Sequence, residues 1–211
     1  MELPIENTKK KVFVIGLQRT GTTSLGEALD RSGYSVCGAV GSWWPEIGDN
    51  YEQIASILVE KYDAFQDNPW PLVYKNMYYR YPDSKFILST RDSHSWASSM
   101  RSYFEIGFSP FEKWFFNSVS INQLSNDQLI TFFENHESKV KSFFAKTKSN
   151  FLEFKIGVHG WEELSKFLHF IPPNERFPCV NTKNSCAQVW PLSTKQPDEM
   201  ELRSQLGLKP L

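Results

Sequence analysis

Nothing in this chain approaches a membrane span, and its first eleven residues, Met1-Glu-Leu-Pro-Ile-Glu-Asn-Thr-Lys-Lys-Lys11, lack the apolar core of a secretory leader. An excess of positive charge is missing too. Lys and Arg number 23 against 24 Asp and Glu, a formal net charge of −1, so the basic footprint of a nucleic-acid binder is absent and any anion site has to be local. Cysteine is scarce. Cys37, Cys179 and Cys186 form an odd count without metal-ligand spacing, and there is no Asn-x-Ser/Thr sequon. These absences fit a reducing, cytoplasmic setting, with neither membrane nor nucleic acid expected as partner; Cys179 and Cys186 are close enough in sequence to pair, but free thiols are expected. Aromatic residues, by contrast, are plentiful: 17 Phe, 8 Tyr and 7 Trp suffice for a core and for the lining of an apolar acceptor pocket.

The most informative stretch runs from Lys11 to Leu25. Val12 to Ile15 is a short continuous apolar run, the pattern of a parallel strand covered on both faces. Gly16 and Gly21 then bracket four residues, the spacing of a phosphate-binding loop, with a helical pattern following from Thr22. The N–H groups of such a loop converge, and the helix adds its positive end, so the expected ligand is an anion, a phosphate first of all. A nucleoside-triphosphatase loop places Lys and then Ser or Thr after its second Gly, for the terminal phosphates and Mg²⁺. Here Gly21 is followed by Thr22-Thr23, and the cation sits inside the loop as Arg19. Gln18, Arg19, Thr20, Gly21, Thr22, Thr23 and Ser24 are therefore candidate contacts to a terminal monophosphate held without a metal.

Beyond the loop, strand and helix alternate. Strands are expected over 11–16, 34–37, 62–65, 85–90 and 150–154, and helices over 22–31, 51–61, 72–81, from 93 past Met100, over 126–148 and over 161–167. Residues 101–125 are aromatic-rich without a clear period. Residues 38–49, with Trp43-Trp44, read equally as a loop over the nucleotide or acceptor site and as a loop whose tryptophans cap the core. The polar lead-in (1–10) and a loop-rich tail (182–211) complete a single domain over 1–211. The alternation predicts an α/β three-layer sandwich with a central parallel sheet and a P-loop-type phosphate-binding loop. Ligands of such sheets bind beyond the carboxyl ends of the strands, which gathers residues 16–24, 66–69 and 91–99 at one edge.

Arg91 follows its strand directly, and Ser99 lies eight residues on, almost two turns into the helix that Ser93 opens. Together they would hold a second phosphate apart from the first, which suits a ligand with phosphates at two ends. An Arg91 paired with Asp92 is the plain alternative.

At these residues the chain resembles the sulfotransferases that use 3′-phosphoadenosine 5′-phosphosulfate, in particular a small, mainly microbial and fungal branch. The first resemblance is Gly16-Leu-Gln-Arg19-Thr20-Gly21-Thr22-Thr23, the second Lys85-Phe-Ile-Leu-Ser-Thr-Arg91-Asp92-x-x-x-Trp96-x-x-Ser99. The third is Gly160-Trp161-x-x-Leu164-x-x-Phe167-Leu168 with Ile171-Pro172 and Phe177-Pro178-x-x-Asn181 after it. Gln18 stands where the family usually has Pro, and Ser93 where Pro often follows Arg-Asp, two departures at backbone-shaping positions.

The resemblance implies sulfuryl transfer from this donor to a hydroxyl or amine of a small-molecule or glycan acceptor, with adenosine 3′,5′-bisphosphate as product and no metal required. Arg19 would stabilise the leaving phosphate. Asp67, at the place where related cytosolic enzymes carry a His, is the candidate general base, with His94 second. The same Asp67-Asn68-Pro69 also reads as a plain helix start, with Asn68 as cap and Pro69 first in the helix. Lys183 matches a basic C-terminal loop that reaches the 3′-phosphate. Two other readings share the scaffold: a P-loop nucleotide kinase or NTPase, and a non-catalytic nucleotide-binding protein. Against the first stand the missing Lys after Gly21 and a second core strand ending Ser89-Thr90-Arg91, where a Mg²⁺-holding Asp is expected.

Overall fold

The computed structural model describes residues 10–104, 109–117, 121–146, 150–180 and 197–211. Five parallel strands, β1 (Val12–Val14), β2 (Val36–Cys37), β3 (Ala64–Phe65), β4 (Lys85–Thr90) and β5 (Phe151–Lys155), make one sheet in the order β2-β3-β1-β4-β5. The expected α/β fold with a central parallel sheet is therefore the observed one. Eight helices accompany them among the described residues: α1 (Thr22–Arg31), α2 (Ile47–Leu58), α3 (Trp70–Arg80), α4 (Ser93–Phe104), α5 (Pro110–Phe115), α6 (Asn126–Phe144), α7 (Trp161–Leu168) and α8 (Glu199–Gln205).

Strand alternation sorts the helices into layers. Val12 and Val14 face a cluster with Leu25, Ala28 and Leu29 of α1 and Trp161 and Leu164 of α7. Phe13 and Ile15 face the opposite layer, where α2, α3 and α6 pack. The register accounts for much of the aromatic content. Phe13 lies opposite Phe65 on one side and Phe86 on the other, and Phe86 lies opposite Phe151. The row of four rings crosses four strands, with Phe13 stacked 4.7 Å from Phe65 and 5.3 Å from Phe86. Trp70 and Phe144 close over it, at 4.2 Å from Phe65 and 5.0 Å from Phe86. A third cluster, with Leu17, Trp96, Met100, Phe116, Leu129 and Phe133, braces the phosphate-loop side against α4 and α6.

Five expectations shift. The helix expected over 51–61 begins earlier, at Ile47, and the one expected at 72 begins at Trp70. Pro69 is then the cap residue and Asn68 caps nothing, so the plain helix-start reading of Asn68-Pro69 does not hold. The aperiodic stretch 101–125 contains α5, whose Ser109 and Glu112 form a capping box ahead of a first-turn proline. The Trp43-Trp44 alternative divides: Trp44 is fully buried in the core, while Trp43 is exposed.

The closing segment also carries more structure than a loop-rich tail. Leu202 of α8 enters the core. The Trp44 indole donates to Glu199 at 2.6 Å, and Arg203, itself buried, donates to Glu46 at 3.2 Å and to the Lys209 carbonyl at 2.7 Å, with its guanidinium 4.8 Å above the Trp44 ring. This latch holds the loop that follows β2. Arg203→Ala removes the charged hydrogen bonds and the ring contact together, and is expected to lower stability by about 2 kcal/mol, read from urea denaturation.

Candidate functional site

The connection leaving β1 travels toward β2, and the one leaving β4 travels toward β5, so the two loops part beside each other at the carboxyl edge. The first loop is fastened to β4 from within. A Cβ on Gly16 would come within 2.1 Å of the Ser89 carbonyl, so only glycine allows the approach. The Thr20 hydroxyl donates to the Leu17 carbonyl at 2.6 Å, leaving Ser89 to donate to Thr20, also at 2.6 Å. Thr20 is fully buried, and its hydroxyl therefore builds the loop instead of facing a ligand. His136 of α6 lies 2.9 Å from the Ile15 carbonyl, and the Trp96 indole donates to the Gln18 carbonyl at 2.9 Å. Burial lowers the His136 pKa, so the neutral ring is the form present at pH 7.

At the helix end of the loop, Gly21 has φ +85°, and an added Cβ would meet Ile156 at 2.5 Å. Thr22 donates to the Asp67 carboxylate at 3.2 Å. Ser24 is buried and accepts from the Val180 N–H at 3.2 Å, which ties α1 to the segment after α7. Thr23 is partly exposed at the start of α1. The Gln18 side-chain amide is buried, with no hydrogen-bond partner for either polar atom among the described residues. Such a group carries a desolvation penalty until a ligand or a water meets it.

Arg19 links the loop to the residues expected to form the second anion site. Its φ is +67°, an uncommon value for a side chain of this size. Its Nε donates to the Ser99 hydroxyl at 3.2 Å, and Arg91 donates through Nη1 to the Arg19 carbonyl at 3.1 Å. The guanidinium also rests 4.3 Å from the ring centre of Tyr103. Arg91 does not pair with Asp92; instead Asp92 accepts from the Ser95 N–H at 2.8 Å and caps α4. Both guanidiniums are pushed down by burial, and Arg19 further by the charge of Arg91. Neither forms an ion pair among the described residues. Two half-buried cations held side by side repel, and an anion between them relieves that repulsion.

Asp67 sits across the loop, at φ +65° and after β3. Its carboxylate accepts from the Asn68 N–H at 2.8 Å as well as from Thr22. Burial nevertheless pushes its pKa up, against those hydrogen bonds and the pull of Arg19. The neighbouring Glu112 is raised as well, by burial first and by the charge of Asp67 last. His94 is exposed at the start of α4, away from this enclosure. Lys183 lies outside the described residues, as do Asn181 and Cys186; Cys37 and Cys179 are free thiols. Two contributors were not foreseen from sequence: Ser89, visible only as a strand residue, and Tyr103, whose one signal is its place four residues after Ser99. Among the described residues no group of His, Cys, Asp or Glu is arranged to hold a metal ion, and no helix is long and apolar enough to cross a membrane.

The fold defines an α/β protein with a P-loop-like connection after its first strand. A sequence profile described as "Sulfotransferase domain" matches residues 11–123 and 109–186, so the chain belongs to the sulfotransferase domain family. It is 26% identical over 221 residues to the "Ava biosynthesis cluster protein M" of Aspergillus versicolor, with 82% of each chain covered. Among solved structures it is similar to shikimate kinase from Bacteroides thetaiotaomicron, at 15% identity and a TM-score of 0.44 over 76% of this chain and 94% of that one.

The raised Asp67 pKa has a consequence for stability. The folded state holds this proton to a higher pH than the unfolded chain does, so stability falls as pH rises from the ordinary carboxylate range through the raised value. Asp67→Asn removes the half-buried charge and is expected to melt above the wild type at pH 8, with the gain shrinking in acid; calorimetry at both pH values checks this.

Proposed function

We propose that this protein transfers a sulfuryl group from 3′-phosphoadenosine 5′-phosphosulfate to a hydroxyl or amine of a small-molecule or glycan acceptor. The observation that carries the reading is the Arg19–Arg91–Ser99 cluster: two half-buried guanidiniums that form no ion pair among the described residues, one of them rising from the loop after β1. The residues suit a donor with phosphates at two ends. Gly16 and Gly21 let the loop pack tightly against Ser89 and Ile156, and Arg91 with Ser99 offers a separate anion contact on α4 and just past β4.

The donor supplies an activated sulfuryl group joined to a phosphate that leaves. Negative charge grows on the departing phosphate oxygen, and Arg19 with the loop N–H groups provides fixed positive charge for it. Because Arg is a poor proton donor, its contribution is electrostatic. Asp67 takes the proton from the acceptor. Its enclosure makes it a stronger base than a solvated carboxylate. The Asn68 N–H and Thr22 hydroxyl hold its two oxygens and fix its orientation.

Incubation with radiolabelled donor and a small-molecule extract of the source cells should yield labelled organic sulfate. Arg19→Ala is expected to lower turnover by about 10²–10³, and an unchanged rate would overturn the assignment. Asp67→Asn should depress turnover while leaving the affinity for adenosine 3′,5′-bisphosphate, measured by calorimetry, near wild type. In the wild type, activity should fall with acidification at a pH above the usual carboxylate range, since Asp67 must be ionised to act and its pKa is raised.

A further inference from the structure

Tyr103 lies at the exposed end of α4, is 40% exposed, and belongs to none of the three apolar clusters formed among the described residues. One of its contacts is with the Arg19 guanidinium, whose carbon is 4.3 Å from the ring centre. Ser99 and Tyr103 are four residues apart on one helix and so present their side chains on the same face, one turn apart. Arg19 therefore meets α4 twice, through its Nε on the Ser99 hydroxyl at 3.2 Å and through its flat face on the ring. Its backbone is held separately, by Arg91 on its carbonyl. Neither Nη of Arg19 donates a hydrogen bond to a described residue. A guanidinium fixed at Nε and over one face keeps its Nη edge available to an anion.

We infer that Tyr103 is a positioning residue for Arg19, a platform that selects one orientation of the guanidinium before the donor arrives. The inference rests on the role proposed for Arg19. An unsupported arginine side chain samples many rotamers, and a transition-state contact gains from orientation set in advance. The aromatic face supplies that orientation through cation–π attraction and leaves the hydrogen-bonding edge uncovered. The ring, and not the phenol hydroxyl, is the working part.

The test uses the full chain, radiolabelled donor and a fixed acceptor extract, with binding of adenosine 3′,5′-bisphosphate and melting temperature followed in parallel. Tyr103→Leu is expected to lower turnover on the order of tenfold while bisphosphate affinity and melting temperature stay near wild type. Tyr103→Phe should restore most of the turnover. In an Arg19→Ala background, Tyr103→Leu should produce no further loss. If Phe fails as badly as Leu, or if the affinity for the bisphosphate falls in step with the rate, the positioning role is overturned. Full additivity of the two substitutions overturns it as well. Loss of turnover in Arg19→Ala with none in Tyr103→Leu refutes this inference alone, whereas full turnover in Arg19→Ala refutes the role of Arg19 on which it rests.

Discussion

The contact between Gly16 and Ser89 governs the carboxyl edge of this molecule. With no Cβ on Gly16, the backbone leaving β1 presses directly against the last turn of chain in β4, and the Thr20–Ser89 hydroxyl pair closes the approach. Every functional distance depends on that closeness. Arg91 reaches the Arg19 carbonyl because β4 ends beside the loop, and α4 presents Ser99 to Arg19 because it starts where β4 stops. A larger residue at position 16 would displace the loop from the strand and separate both anion contacts at once.

Around this contact the site divides by charge. Arg19 and Arg91 gather on the α4 side, and Asp67 with its neighbour Glu112 on the β3 and α5 side. Arg19 turns to Ser99 and Arg91 to the Arg19 carbonyl, and neither forms an ion pair with a carboxylate among the described residues. Burial of Asp67 raises its pKa, which fits the reading proposed above, in which some folding free energy is given up to hold a base in place.

The fold was largely legible because its strongest signals are local. Val12–Ile15 is a continuous apolar run and Lys85–Thr90 carries the apolar core Phe86-Ile87-Leu88, and glycines mark the loop between the first strand and its helix. The candidate site was legible in its residue types but not in its wiring. That Arg19 turns to Ser99, and that Thr20 is consumed in bracing the loop, follows from how β1 and β4 sit together, which periodicity does not encode. The same holds for the Phe65–Phe13–Phe86–Phe151 row, since each phenylalanine is unremarkable in its own strand and becomes a ladder only through register. Helix α5 is a different case. Its Ser-Pro-Phe-Glu start is a local signal, overlooked because the surrounding aromatics obscure the helical period.

The strand order carries an implication for how the molecule is made. Among the described strands β1 is made before the others and is the central one of the sheet, yet Val12 pairs with Ala64 and Lys85. One edge of β1 must wait for β3, and the other until the chain has been synthesised beyond residue 85. Long-range parallel pairing of this kind is slow and leaves hydrophobic strand exposed during synthesis. The anion loop, being the continuation of β1, cannot take shape before β4 docks against it. Ligand binding can therefore reward only the late stages of folding, and the nascent chain has to survive its most aggregation-prone interval without that help.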